Sequence, residues 1–81
     1  MLKEKISHDL RNKFDDAIDI KIITDDDKHF NITIVSDFFK DKQLIDRQKS
    51  IYDVIGKYIL NREIHAVSLK VYTKDEWKEM Q

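Results

Sequence analysis

Residues 17–36 read AIDIKIITDDDKHFNITIVS. Ile18, Ile20 and Ile22 alternate with Asp19 and Lys21, and Phe30, Ile32 and Ile34 alternate with Asn31 and Thr33. Apolar, mostly β-branched residues at every second position suit a strand with one buried and one wet face. The polar run Asp25 to His29 separates the two stretches. Two alternating runs joined by a short polar turn predict an antiparallel hairpin over about 17–24 and 29–36.

The apolar period changes on both sides of this hairpin. Upstream, Leu2, Ile6, Leu10 and Phe14 recur every four residues, with Lys3, Lys5, Asp9 and Arg11 between them. That spacing predicts an amphipathic helix over about 2–13. Downstream, DFFKDKQ (37–43) has no period. Asp37 is expected to cap a single turn there, with Phe38 and Phe39 dipping into the core. Leu44, Gln48, Ile51, Tyr52, Ile55, Tyr58 and Ile59 then follow at steps of three and four. They predict the longest helix, over about 44–60, with those side chains on one face. Gly56 lies inside it and weakens it by about 1 kcal/mol relative to alanine. Such a glycine is expected where another element comes close.

After NRE (61–63), the run IHAVSLKVYT returns to period two, with Val67, Leu69 and Val71 on one face of a strand over about 65–72. Thr73 with Glu76 three residues on forms a capping-box pattern. A last helix therefore opens at Thr73, anchored by Trp77. The order is α-β-β-α-β-α. A helical crossover after a hairpin makes the third strand parallel to one of the first two, with right-handed connection. The expected fold class is α+β, a three-stranded mixed sheet with helices on one face, in a single domain spanning 1–81.

Length and composition narrow the function. A chain of 81 residues has one core and buries roughly 60–65% of its unfolded surface. Without cysteine it has no disulfide, so packing alone must hold it, and a reducing compartment fits. There is no 18-residue apolar run and no apolar segment in MLKEKISHDL, so neither a membrane span nor a secretory signal is expected. The chain reads as cytoplasmic. A net charge of −1, with both signs interspersed, exerts no global pull toward nucleic acid or membrane.

Enzyme chemistry finds no support. Ser7, His8 and Asp9 are neighbours in sequence, so they diverge on a helix, form no triad and read as solvated surface. A single glycine cannot build a phosphate loop. Asp25, Asp26 and Asp27 lack the glycine and distal glutamate of a calcium loop and read as a solvated turn. Nucleic acid is a live alternative, because Lys40, Lys42, Arg47 and Lys49 gather around the start of the long helix. Acidic residues interleave with them, however. Residues 37–62 hold six basic and four acidic side chains, a surplus that supports only weak binding through phosphate contacts.

Three histidines remain, at 8, 29 and 65, without the close spacing of a local zinc site. His29 ends the hairpin turn and His65 opens the third strand. If that strand is parallel to the second, both lie at the N-terminal ends of neighbouring strands, at one edge of the sheet. On composition alone each reads as a surface or hydrogen-bonded histidine. Two imidazoles are too few to hold a transition metal without ligands from a partner.

HFNITIVSDFF (29–39), LIDRQKSIYDVI (44–55) and EIHAVSLKVYTKDEW (63–77) together resemble the BolA family, and most closely its short-loop bacterial IbaG-type branch. The likeness covers about residues 14–77. Its most specific parts are VSDxF at 35–39, the RQ pair at 47–48, IHAVSLK at 64–70 and T-x-x-E-W at 73–77. The resemblance implies a class II KH-like fold and a non-enzymatic role. It implies partnership with a monothiol glutaredoxin, with glutathione, around a bridging [2Fe–2S] cluster, in iron–sulfur delivery or iron regulation. It implies a monomer that binds no cluster alone. In that setting the histidine of the HA block is a cluster ligand, which matches His65. A second histidine or cysteine comes from the loop between the first two strands, for which His29, slightly past that loop, is the candidate here. The resemblance also implies, less strongly, DNA binding and transcriptional control through the helical region. Two features depart from these patterns. Asp41 stands where many members carry glycine, and the glycine-rich loop of nucleic-acid-binding KH domains is missing.

Overall fold

A computed structural model describes all residues, 1–81. The elements are α1 (Leu2–Lys13), β1 (Asp19–Ile23), β2 (His29–Val35), a 3-10 turn (Asp37–Phe39), α2 (Leu44–Leu60), β3 (Ala66–Tyr72) and α3 (Lys74–Glu79). The sheet order is β1-β2-β3. β1 runs antiparallel to β2, with Ile22 opposite Ile32. β3 runs parallel to β2, with His29 opposite Ala66 and Ile34 opposite Val71. No helix is long and apolar enough to cross a membrane.

Strand alternation puts Ile20, Ile22, Phe30, Ile32, Ile34 and Val71 on one buried face. Leu2, Ile6 and Leu10 of α1 and Ile51, Ile55 and Tyr58 of α2 cover it, with Phe14 and Phe39 filling one end. The two helices are also tied by polar bonds. The Tyr58 hydroxyl donates to the Asp9 carboxylate at 2.5 Å, and Lys57 Nζ lies 3.3 Å from the same group. Asp9 is therefore not the solvated residue expected of its position, since its side chain is only 23% exposed. The Tyr58 bond holds its carboxyl below the ordinary range, and the same bond pushes the Tyr58 hydroxyl up to about 12.

Other expectations also shift. Ile18 precedes the first paired residue, Asp19, so strand parity does not govern it, and it is exposed. Ser36, not Asp37, caps the 3-10 turn: its buried hydroxyl accepts from Phe38 N and donates to Asp16. Asp37 instead accepts from Lys74 N, tying the turn to the start of α3. Phe39 is fully buried, whereas Phe38 stays partly exposed, edge-on to Phe14 at 5.1 Å. Leu44 and Tyr52 are exposed as well. Tyr52 follows Ile51 by roughly a quarter turn and leaves the buried stripe. Asp41 adopts a left-handed backbone (φ 62°), which explains why glycine suits that position.

Gly56 overturns the expectation of a close approach. A Cβ built on it would meet nothing within 4 Å. Gly56→Ala should therefore stabilise the protein by about 1 kcal/mol, the helix-propensity difference with no steric offset. Urea melts check this, and a loss of stability would mean that the position is constrained after all.

Candidate functional site

His65 is placed by the exit from α2. Arg62 takes a left-handed conformation (φ 66°) that turns the chain, and Ile64 is buried behind it, its N–H bonded to Tyr58 O at 2.9 Å. The N–H groups of His65 and Ala66 then donate to Lys28 O at 2.8 and 3.3 Å. These bonds start the parallel ladder and leave the His65 side chain exposed at the strand entrance.

His29 is placed by the connection between β1 and β2, where two of the three aspartates have structural roles. Asp27 is left-handed (φ 59°), and its N–H donates to Thr24 Oγ1. Its carboxylate accepts from the N–H groups of Leu2 and Lys3, both at 3.1 Å, and so caps α1. Asp26 Oδ1 accepts from Lys28 N at 3.0 Å and His29 N at 2.9 Å, and its Oδ2 lies 2.6 Å from His29 Nδ1. Those backbone donors, with the imidazole, hold the Asp26 carboxyl well below the usual range. The Asp triplet was legible as a turn, but not as this network. Only its Asp26–Lys28 bond follows the two-residue Asx spacing, and the sequence offers that spacing to each of the three aspartates.

The two imidazoles meet edge-on, with ring centroids 6.0 Å apart. The His29 side chain is 62% exposed, and no protein group bonds its Nε2. Lys5, Lys28 and Arg62 line the shallow depression beside His65 together with Asp27 and Glu63, so that surface carries charges of both signs. His8 is elsewhere, on α1 beside Asn12. No three histidine, aspartate or glutamate side chains gather as a metal-holding group.

The basic residues near α2 are brought together only in part. The Arg47 side chain is 13% exposed. Its Nε donates to Lys42 O, and its two terminal nitrogens grip Glu76 at 2.7 and 3.2 Å. Lys42 Nζ donates to Phe38 O and sits 4.3 Å from the Phe38 ring centroid. Lys40 and Lys49 remain exposed without such partners. Glu76 also accepts from Thr73 N, closing the predicted capping box of α3. The Arg47 pair and the Thr73 N–H hold its carboxyl at about 2.

A lowered native pKa stabilises the fold above the ordinary carboxylate pKa and loses that contribution as pH falls through the native value. Wild-type stability should accordingly fall between about pH 4.5 and pH 2 as Glu76 protonates. Glu76→Gln should flatten that fall in urea melts at both ends of the window. An identical pH dependence in the variant would remove Glu76 as its source.

Residues 4–76 match the family described as BolA-like protein. An uncharacterized protein of Buchnera aphidicola is 46% identical over 56 residues, covering 69% of this chain and 71% of that one. The acid stress protein IbaG of Escherichia coli K12 is 34% identical over 55 residues, covering 68% and 66%. The crystal structure of a bol-like protein from Babesia bovis superposes with a TM-score of 0.83 at 30% identity, covering 96% and 91%.

Proposed function

The chain belongs to the BolA family, and on that premise we propose that it is a non-enzymatic partner of a monothiol glutaredoxin. The two proteins share a bridging [2Fe–2S] cluster, in iron–sulfur delivery or iron regulation. The observation that carries this reading is the pair of exposed imidazoles, 6.0 Å apart at one sheet edge, in a chain without cysteine. Imidazole replaces thiolate on iron in known [2Fe–2S] centres, so His65 and His29 are fitting donors. They fit a share of the ligand set and not the whole of it. The remaining positions call for thiolates, which a glutaredoxin and glutathione supply.

Several consequences follow from that division of ligands. The chain alone is a monomer that holds no cluster. His65 is the principal ligand on this side and His29 the second. The short Thr24–Lys28 connection and the likeness to IbaG support a place in the short-loop, IbaG-like branch. The cytoplasm, where thiols stay reduced, is the compartment that suits such a cluster. The alternative, weak DNA binding through Lys40, Lys42, Arg47 and Lys49, is less well supported. Arg47 is committed to Glu76 within the fold, which leaves Lys40, Lys42 and Lys49 at the surface to meet phosphates.

The test is to titrate the chain into a monothiol glutaredoxin carrying its cluster and follow visible circular dichroism. The spectrum should change and saturate at equimolar addition. A spectrum unaltered by excess chain would contradict the proposal.

A further inference from the structure

We infer that Asp26 is a positioning residue that fixes the His29 ring in the tautomer able to ligate iron through Nε2; this rests on the function proposed above. The geometry is specific. Asp26 Oδ1 is held by two backbone N–H groups, at 3.0 and 2.9 Å, so the carboxylate cannot rotate freely. Its Oδ2 is thereby aimed at His29 Nδ1, 2.6 Å away. An ionised carboxylate only accepts hydrogen bonds. The neutral imidazole must then carry its proton on Nδ1 and present the lone pair on Nε2. That nitrogen has no protein partner, on a ring 62% exposed.

Carboxylate–imidazole pairs of this kind orient metal-ligating histidines and fix their tautomer in metal sites generally. Here the carboxylate comes from the turn just ahead of the ligand. The same turn, through Asp27, caps α1. Ring orientation is thus built into the backbone of the β1–β2 connection. A ring held in one rotamer also loses less entropy when it takes up a ligand position.

Asp26→Asn is the informative variant, because it keeps the shape and reverses one hydrogen bond. The asparagine oxygen can still accept from Lys28 N and His29 N. Its amide nitrogen then faces His29 Nδ1 and can only donate, so the ring proton moves to Nε2 and blocks it. Three measurements follow. Long-range proton–nitrogen NMR of the free chain in mildly alkaline solution should find the Nδ1–H tautomer in the wild type and the Nε2–H tautomer in Asp26→Asn, with backbone spectra otherwise alike. Titration against cluster-loaded glutaredoxin should show Asp26→Asn binding about ten- to a hundredfold more weakly than wild type. Its visible dichroism should resemble that of His29→Ala.

An unchanged tautomer in Asp26→Asn overturns the inference. So does wild-type affinity in Asp26→Asn while His29→Ala is impaired, or an unimpaired His29→Ala. If the wild-type chain forms no cluster complex at all, the function proposed above falls and this role of Asp26 falls with it.

Discussion

His65→Ala is expected to abolish the visible circular-dichroism change that the chain induces in a cluster-loaded monothiol glutaredoxin. The substitution removes a ring that is exposed at the entrance of β3 and takes part in no core packing. The bonds that start the strand come from the backbone N–H groups of His65 and Ala66 to Lys28 O, and alanine keeps them. Urea melts of the variant should therefore stay within about 0.5 kcal/mol of wild type, as for exposed positions in general. The lost activity would then report a lost ligand and not a lost fold. With His29 as the only remaining imidazole at this edge, the chain has too little to offer a shared cluster. Wild-type spectrum and affinity in His65→Ala would make His65 a surface histidine.

Ile55→Ala should produce one of the largest losses of stability among single core truncations in α2. Ile55 is completely buried, in the middle of the helix that covers the sheet. Deleting its branched side chain forfeits transfer energy and leaves a cavity that rigid strands below cannot close, at a cost of about 3–4 kcal/mol. A domain of this size has only about 5–10 kcal/mol in all, so the variant should melt far earlier in urea. Leu69, read from sequence on one strand face with Val67 and Val71, is only half-buried in the edge strand β3. Leu69→Ala should accordingly cost less, about 1–2 kcal/mol. A loss below about 1 kcal/mol at Ile55 would mean that α2 presents a different face to the sheet.

The periods in the sequence carried most of the architecture. Alternation marked β1, β2 and β3 because each has one face packed against α1 and α2 and the other largely exposed, the condition under which period two is visible. α3 departs from the expected one-sided arrangement, since Trp77 packs on Tyr72 at the opposite face. The four-residue repeat of α1 and the Thr73–Glu76 box behaved as local chemistry dictates. Local rules failed where tertiary contacts decide. Ser36 took the cap from Asp37 because its buried hydroxyl also reaches Asp16, twenty positions back. Asp9 left solvent because Tyr58, on another helix, donates to it. Gly56 carried no close contact, so its presence has no packing explanation.

The candidate site divided in the same way. The sequence placed His29 and His65 at one sheet edge on the condition that the third strand pairs with the second, and the parallel β2–β3 pairing meets that condition. The Asp26 carboxylate that grips His29 was not legible, because an aspartate triplet does not reveal which member folds back on the turn. Nor was the commitment of Arg47 to Glu76, two residues 29 positions apart. A basic residue counted from composition as a phosphate contact is in the fold a clasp between α2 and α3.

The most direct measurement is native mass spectrometry of the chain, a monothiol glutaredoxin, glutathione and iron–sulfur reconstitution reagents, mixed in all combinations. The chain by itself should appear as an iron-free monomer. The complete mixture should yield a heterodimer carrying one [2Fe–2S] cluster, at the expense of the glutaredoxin homodimer. A glutaredoxin homodimer that keeps its cluster, beside a free chain at every ratio, would contradict the account.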